Sequence, residues 1–490
     1  MKKQSIQRKL KVMTSSKIAK NTTYFTGSLV IQKAISFVYF WYISNNLAAE
    51  HLGQFVFALS FSALFSLFVH FGLPPVLVRE SAKNPEQTNL LLKNILGLTI
   101  PLAIFAFALT YLSITFTGRP PEVKNLVYLS SFIVLLDALG VIFYGVFRSR
   151  QVLKYESIGN VIFQIINFSI AIIALRKTGD LRVLMLALII ATTFNTAFAT
   201  ILVKVKLKYS LLPELNRQVI KKILKLVPAF AIAAIFTKIY NTFDTILLGY
   251  LAGDKAVGLY AVPAKTIFAL QNIIPAAFAG AIFPAFSHLY VTDKTKLSRT
   301  FTQSLFYVLV IGIPLSLGLI ALLPQVLNTL WPAYTETLPT FYVMAAALPF
   351  VFFGFPTGYL LNATDKQRQT TTNRGFALLA ALAINLILIP QVAQLGAAIA
   401  FLASNIIIVV LDLWRVNRVT KLQYKELVNI VVRTLIAGSI MFASLVLLGS
   451  SVHLIGLVLV GAAIYLASLH LLGVLKVGEI IRIFKQVTKK

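Results

Sequence analysis

Five charged side chains stand where charge is costly. Lys33, Lys238, Lys265, Asp137 and Asp244 all fall inside long apolar stretches. A lysine at the middle of a bilayer costs about 2.5–3.5 kcal/mol on insertion scales, so it needs water, an anion or a counter-charge beside it. Lys33 is about eleven residues into its stretch, roughly 16 Å deep at the helical rise. Lys238 is comparably deep, and Lys265 is about nine residues in from the other side. Facing an aqueous cavity, such lysines are candidate anion-binding groups, because a lysine holds an anion as a point charge. The structural alternative is a pairing such as Lys238 with Asp244 on the same helix. Asp137 and Asp244 are candidate sites for a proton or Na⁺ whose gradient could drive transport, the alternative being a carboxylate held in a helix contact. Asp412 and Arg433 stand near the ends of their stretches, where snorkelling accounts for them. Arg79-Glu80 follows Pro74-Pro75 at the end of the second stretch, as gating ion pairs or as a simple anchor.

The elements that must carry these residues are membrane helices. Of 490 residues 58% are hydrophobic and 12% charged, half the charged share of a soluble protein. Fourteen stretches are long enough to span: about 22–43, 52–72, 93–115, 125–147, 157–175, 183–203, 226–250, 256–288, 301–323, 338–361, 375–389, 395–414, 427–448 and 452–475. The net charge of +29 would suggest nucleic acid on a soluble protein, but here the basic residues form short blocks between apolar stretches. With the N-terminus cytoplasmic, 35 of the 45 basic residues lie on the cytoplasmic side and six (Arg119, Lys124, Arg176, Lys177, Arg182 and Lys255) on the other. The positive-inside rule therefore places both termini in the cytoplasm of a multi-pass protein of the cytoplasmic membrane. The stretch 256–288 contains Pro263, Pro275 and Pro284, yet splitting it in two would turn every later basic block outward, so one long kinked helix is expected.

The expected fold is all-α and polytopic, with an internal repeat. A shift of 205 residues places Lys33 on Lys238 and Gly53 on Gly258. A shift of 218 places Arg148 and Arg150 on Lys366 and Arg368, and Asn167 on Asn385. Six helices separate the copies, so the halves share orientation as a parallel pseudo-two-fold repeat. The expected organisation is a basic cytoplasmic N-terminus (1–21), a six-helix lobe (22–203), a basic interlobe segment (204–225), a second six-helix lobe (226–414), two extra helices (427–475) and a cytoplasmic tail (476–490). Basic residues interleaved with Leu and Ile mark 204–225 as an interfacial helix on anionic lipid.

Several segments together resemble the bacterial oligosaccharide flippases. They are Leu47-Ala-Ala-Glu-His-Leu-Gly-Gln-Phe55, Phe71-Gly72-Leu73, Val78-Arg79-Glu80, Leu248-Gly249, Gly258-Leu259-Tyr260, Ala281-Ile282-Phe283-Pro284, Asn362 to Arg374, Asn385 to Pro390 and Gly396-Ala397-Ala398. These flippases belong to the multidrug/oligosaccharidyl-lipid/polysaccharide exporter superfamily. The resemblance implies two six-helix lobes around a central cavity and flipping of undecaprenyl-diphosphate-linked oligosaccharide by alternating access, for cell-surface polysaccharide. On that reading Lys33, Lys238 and Lys265 are substrate-binding candidates for the diphosphate. Tyr39, Tyr42, Tyr240 and Tyr260 become candidates for stacking on sugars. Polysaccharide polymerase and glycosyltransferases are candidate partners. A multidrug/cation antiporter and a lipid II flippase are the alternatives. The first would need an anionic cavity, and the second helix start lacks the phenylalanine-rich signature associated with the other.

An enzyme is not expected. The chain has no cysteine, its five histidines show no metal-ligand spacing, and there is no Walker A sequence for ATP. No loop has room for an extramembrane catalytic domain, and no cofactor is called for beyond an H⁺ or Na⁺ gradient.

Overall fold

The structure, a computed structural model, describes residues 27–449 and 453–474. The basic N-terminus 1–21 and the tail 476–490 lie outside the described residues, as does the side chain of Ala281. Among the described residues the fold is all-helical. In chain order the helices are α1 (27–46), α2 (Ala49–His70), α3 (Leu73–Lys83), α4 (Thr88–Thr115), α5 (Pro121–Ser149), α6 (Lys154–Lys177), α7 (Leu181–Leu207) and α8 (Arg217–Leu251). They continue with α9 (Gly253–Thr292), α10 (Lys294–Leu330), α11 (Leu338–Ala346), α12 (Leu348–Ala363), α13 (Gln367–Val392), α14 (Gln394–Val416), α15 (Tyr424–Leu448) and α16 (Leu454–Leu471).

Twelve segments among the described residues are long and apolar enough to cross a membrane, with α11 and α12 counting as one. Helices α1 and α9 coincide with the two remaining expected stretches. Helix α1 is the more polar of these, carrying Gln32, Lys33, Ser36 and Ser44. The proline-containing stretch around 256–288 is one helix of 40 residues, Gly253–Thr292. The protein is thus a multi-pass membrane protein.

The chain forms two compact units that divide between Gly249 and Tyr250. In the first unit, the first half of α8 contributes Ile223, Val227 and Ala231 to a core shared with Leu73, Leu77 and Leu92 of α3 and α4. Gly72 starts α3 in the left-handed region at φ 77°, where Leu73, Pro74 and Pro75 occupy the first turn and no helical N–H is needed from proline. In the second unit, one core joins α9, α10, α12 and α14 through Phe286, Phe301, Phe353 and Val409. Helices α15 and α16 add a further cluster against α10, with Met441, Leu445 and Leu457 packed beside Leu322.

Residues 204–225 do not form the expected interfacial helix. Helix α7 ends where Lys208 turns left-handed at φ 55°, and residues 208–216 run as a non-helical strap over α4. Asn89 Oδ1 accepts from Ser210 N at 3.1 Å, and Asn94 Oδ1 accepts from Asn216 N at 2.7 Å. Glu214 N donates to Lys93 O at 3.1 Å, while Lys93 Nζ reaches Glu214 Oε2 at 2.6 Å. The cause is local chemistry. Pro213 cannot donate within a helix, and Asn216 Oδ1 caps α8 by accepting from Gln218 N at 3.0 Å.

Candidate functional site

Three of the first unit's helices bring ionisable groups together inside the membrane region. Asp137 projects from the middle of α5, Lys238 from the middle of α8, and His70 closes α2. The Asp137 carboxylate lies within electrostatic reach of both Lys238 and His70, and Lys238 within reach of His70. Asp137 is exposed, while Lys238 and His70 are half-buried. His70 Nε2 is itself enclosed and has no hydrogen-bond partner among the described residues. Asp137 also acts on Arg148, eleven residues further along α5, which ends at Ser149. Arg148 is in turn held by Glu156, with Nε to Oε2 at 2.8 Å and Nη2 to Oε1 at 2.5 Å. The group is of mixed sign. It offers a cation and an imidazole to an anion, and a carboxylate to a proton or a cation.

Helix α8 is secured at both ends so that Lys238 is held in place. At one end Gly72 lies under it, and a Cβ there would come 2.7 Å from Val227 O. At the other end Arg119 Nη1 donates to Gly249 O at 2.7 Å while its guanidinium stacks 4.4 Å above the Phe57 ring. Gly249 packs on the same ring, where a Cβ would collide with Phe57 Cδ2.

The other sequence candidates sit apart from this group. Lys33 is exposed on α1 in the first unit. Asp244, six residues beyond Lys238 on α8, is half-buried and engaged with other groups. Lys265 is exposed on α9 in the second unit and is likewise engaged. Thus the charge that acts on Lys238 is Asp137 of a different helix, a relation that sequence spacing could not supply. Arg79 and Glu80 lie on α3. Glu80 is paired with Lys83 at 3.2 Å and with Lys222 of α8 at 3.8 Å, and Arg79 Nε lies 3.9 Å from it. The Glu80–Lys222 pair joins α3 to α8 within the first unit, beside a cavity of about 210 Å³ walled by Val76, Leu90, Val219 and Leu226.

Three expectations about side chains change. Tyr39 is buried against α6, edge-on to Phe168 at 6.4 Å between ring centres, so it is packing rather than a free surface for sugar. Tyr260 is also buried. Asp412 does not snorkel: it is 1% exposed, with Oδ1 accepting from Asn373 Nδ2 at 2.8 Å and Oδ2 from Thr357 Oγ1 at 3.2 Å. Arg433 does reach a helix end, donating from Nη1 to Leu472 O at 3.0 Å. Sequence reading passed over His70, whose signal was its place at the C-terminal end of an apolar stretch. Among the described residues no group of three or more His, Asp or Glu could hold a metal ion.

Comparison with known proteins supplies a context for this geometry. Residues 18–290, more than half of the chain, match the family model described as "Polysaccharide biosynthesis protein". The capsular polysaccharide biosynthesis protein CapF of Staphylococcus aureus is 22% identical over 393 residues, 80% of this chain and 97% of that protein. The probable flippase AglR of Haloferax volcanii is 30% identical over 169 residues, 34% of this chain and 35% of AglR. Among solved structures, the lipid II flippase MurJ in an inward closed conformation has the same fold, with a TM-score of 0.68 at 14% identity over 90% of this chain and 98% of that one. An inward-facing multidrug transporter of the MOP superfamily aligns with a TM-score of 0.64 at 14% identity over 80% of this chain and 94% of its own.

Proposed function

Because this chain belongs to the polysaccharide biosynthesis protein family, we propose that it is a flippase for a lipid-linked saccharide. The cargo would be an oligosaccharide on a polyprenyl diphosphate such as undecaprenyl diphosphate, moved across the cytoplasmic membrane by alternating access. The observation that carries the reading is Lys238, a half-buried cation in mid-helix, set with His70 near the exposed Asp137. A diphosphate entering the first unit would meet Lys238 as a point charge in a partly dehydrated setting. Asp137 would then be freed from the lysine it faces and become available to a proton or Na⁺. Anion binding and cation coupling would thus meet in one group, which is a physical route from substrate charge to ion gradient. Lys33 and Lys265 remain candidate contacts to the headgroup, Asp244 a second coupling candidate, and the Arg79–Glu80 pairs a candidate inner gate. The orientation that suits this work has both termini cytoplasmic, with 204–225 against anionic lipid.

One observation favours a second reading. The fold match to the lipid II flippase runs along 98% of that chain. A lipid II-like cargo would present the same diphosphate to Lys238 with a different saccharide beyond it. A multidrug/cation antiporter is less suited, since Lys238 and His70 face the site. The test is translocation in reconstituted vesicles. Fluorescent polyprenyl-diphosphate oligosaccharide and lipid II are supplied in separate preparations, and arrival in the other leaflet is read by accessibility to a headgroup-quenching reagent. Movement of the first alone supports the main reading, movement of lipid II supports the second, and movement of neither defeats both.

A further inference from the structure

The two halves of the chain each contain a polar knot of three hydrogen-bonded side chains, one of them neutral throughout and the other built on a carboxylate. In the first unit Tyr144 OH donates to Asn195 Oδ1 at 2.7 Å, and Asn195 Nδ2 donates to Asn160 Oδ1 at 3.2 Å. This ties α5, α6 and α7 with neutral groups alone. In the second unit Thr357, Asn373 and Asp412 tie α12, α13 and α14. The depths agree. Tyr144 is five residues from the end of α5 and Thr357 six from the end of α12. Asn160 and Asn373 each stand six residues into the next helix. On the third helix, by contrast, the partner is Asn195, fourteen residues into α7, in one knot and Asp412, eighteen residues into α14, in the other.

The first knot is therefore a control within the molecule. An amide suffices to hold three helices together there. The second knot keeps a carboxylate although it is the more deeply enclosed of the two: Thr357, Asn373 and Asp412 are each at most 1% exposed. Burying a carboxylate is the costlier choice, so packing does not account for it. We propose that Asp412 is a proton-binding site, which takes up and releases one proton within the second unit.

The geometry accommodates both protonation states. When ionised, Oδ1 accepts from Asn373 Nδ2 and Oδ2 from Thr357 Oγ1. On proton uptake an O–H bond forms at Oδ2, the negative charge is neutralised, and that oxygen becomes a donor. The Thr357 hydroxyl then turns to donate to Gly354 O, 3.1 Å away, and its oxygen accepts from the carboxyl group. Asn373 keeps its bond to Oδ1. No group is left unsatisfied on either side of the exchange. Asn373 turns its N–H group rather than its amide oxygen to the carboxylate, an arrangement that suits a carboxyl group better than the oxygen cage of a Na⁺ ion. Of the elements packed on α14, helix α12 presents Thr357, and α13 presents Asn373 and the charged Arg374, whose field acts on Asp412. Helices α9 and α11 present no charged group acting on it among the described residues. Arg415, one turn further along α14, is turned onto the Trp414 ring at 4.4 Å.

The test is an infrared pH titration of the full chain in lipid vesicles, with the proton itself as probe and no cargo present. Wild type should show the carbonyl band of a buried protonated carboxyl group that appears as pH falls. Asp412→Asn, which makes the second knot neutral as the first is, should lose that band. Asp137→Asn and Asp244→Asn should retain it. Absence of the band in wild type, or its survival in Asp412→Asn, overturns the proposal. Should Asp412→Asn fail to fold, Thr357→Val serves instead. It removes the hydroxyl that exchanges roles and should displace the band, and an undisplaced band counts against the site.

Discussion

Replacing Gly72 by alanine tests whether α8 is held where Lys238 requires it. Gly72 has φ 77°, a conformation that costs an L-residue about 1–2 kcal/mol. The added Cβ would also stand 2.7 Å from Val227 O and 3.2 Å from Ala231 N, both backbone atoms of α8. Backbone cannot swing aside as a side chain does, so α3 or α8 must shift, and overpacking of this kind costs about 1–3 kcal/mol. Together these give roughly 2–5 kcal/mol, at least a thirtyfold fall in the folded ratio at the lower end. Gly118→Ala is the matched control, since a Cβ there meets nothing within 4 Å. Thermal unfolding of both variants in the same detergent reads the difference. Gly72→Ala should unfold well below wild type and Gly118→Ala with it. The surviving Gly72→Ala protein should also flip its cargo more slowly, because the helix that bears Lys238 has moved. Equal unfolding temperatures for Gly72→Ala and wild type would refute the reasoning.

Charge at the mixed group should dominate transport. Lys238→Gln should slow flipping at least tenfold and Lys238→Arg should retain part of it, whereas a severe loss only in Asp137→Asn would favour the cation antiporter. The strap should depend on its backbone more than on its ion pair. The side chains of Lys93 and Glu214 are 27% and 38% exposed, so Glu214→Gln should cost under about 1 kcal/mol. Gly97→Val, which crowds Glu214 O, should instead open residues 208–216 to protease during limited digestion. Reporter fusions at Gly449 and Lys490 should fall on opposite sides of the membrane, with Lys490 inside, and a shared side would contradict the span count.

Most of the architecture was legible because hydropathy and length act locally. The stretch around 256–288 could be read as one helix, despite three prolines, because a split would have reversed the sidedness of every later basic block. The strap was not legible from composition. Residues 204–225 alternate basic and apolar residues as an interfacial helix does, and the decisive signals were two single residues, Pro213 and Asn216. The candidate site was half legible. Lys238 and Asp137 stood out as intramembrane charges, but that the one acts on the other depends on how separate helices are placed, and spacing along one helix pointed to Asp244 instead. Asp412 was misjudged for a related reason. Its position near a helix end says how far it could reach toward water, whereas Thr357 and Asn373, distant in sequence, determine that it turns inward.

We propose that this protein carries a diphosphate-linked lipid saccharide between leaflets by way of Lys238. It is tested most directly by reconstituting wild type and Lys238→Gln at matched amounts in vesicles with fluorescent polyprenyl-diphosphate oligosaccharide. The readout is the rate at which the fluorescent headgroup changes leaflet. The account predicts rapid movement with wild type and movement near that of protein-free vesicles with Lys238→Gln. Equal rates for the two proteins, or a wild-type rate no higher than that of protein-free vesicles, would contradict it.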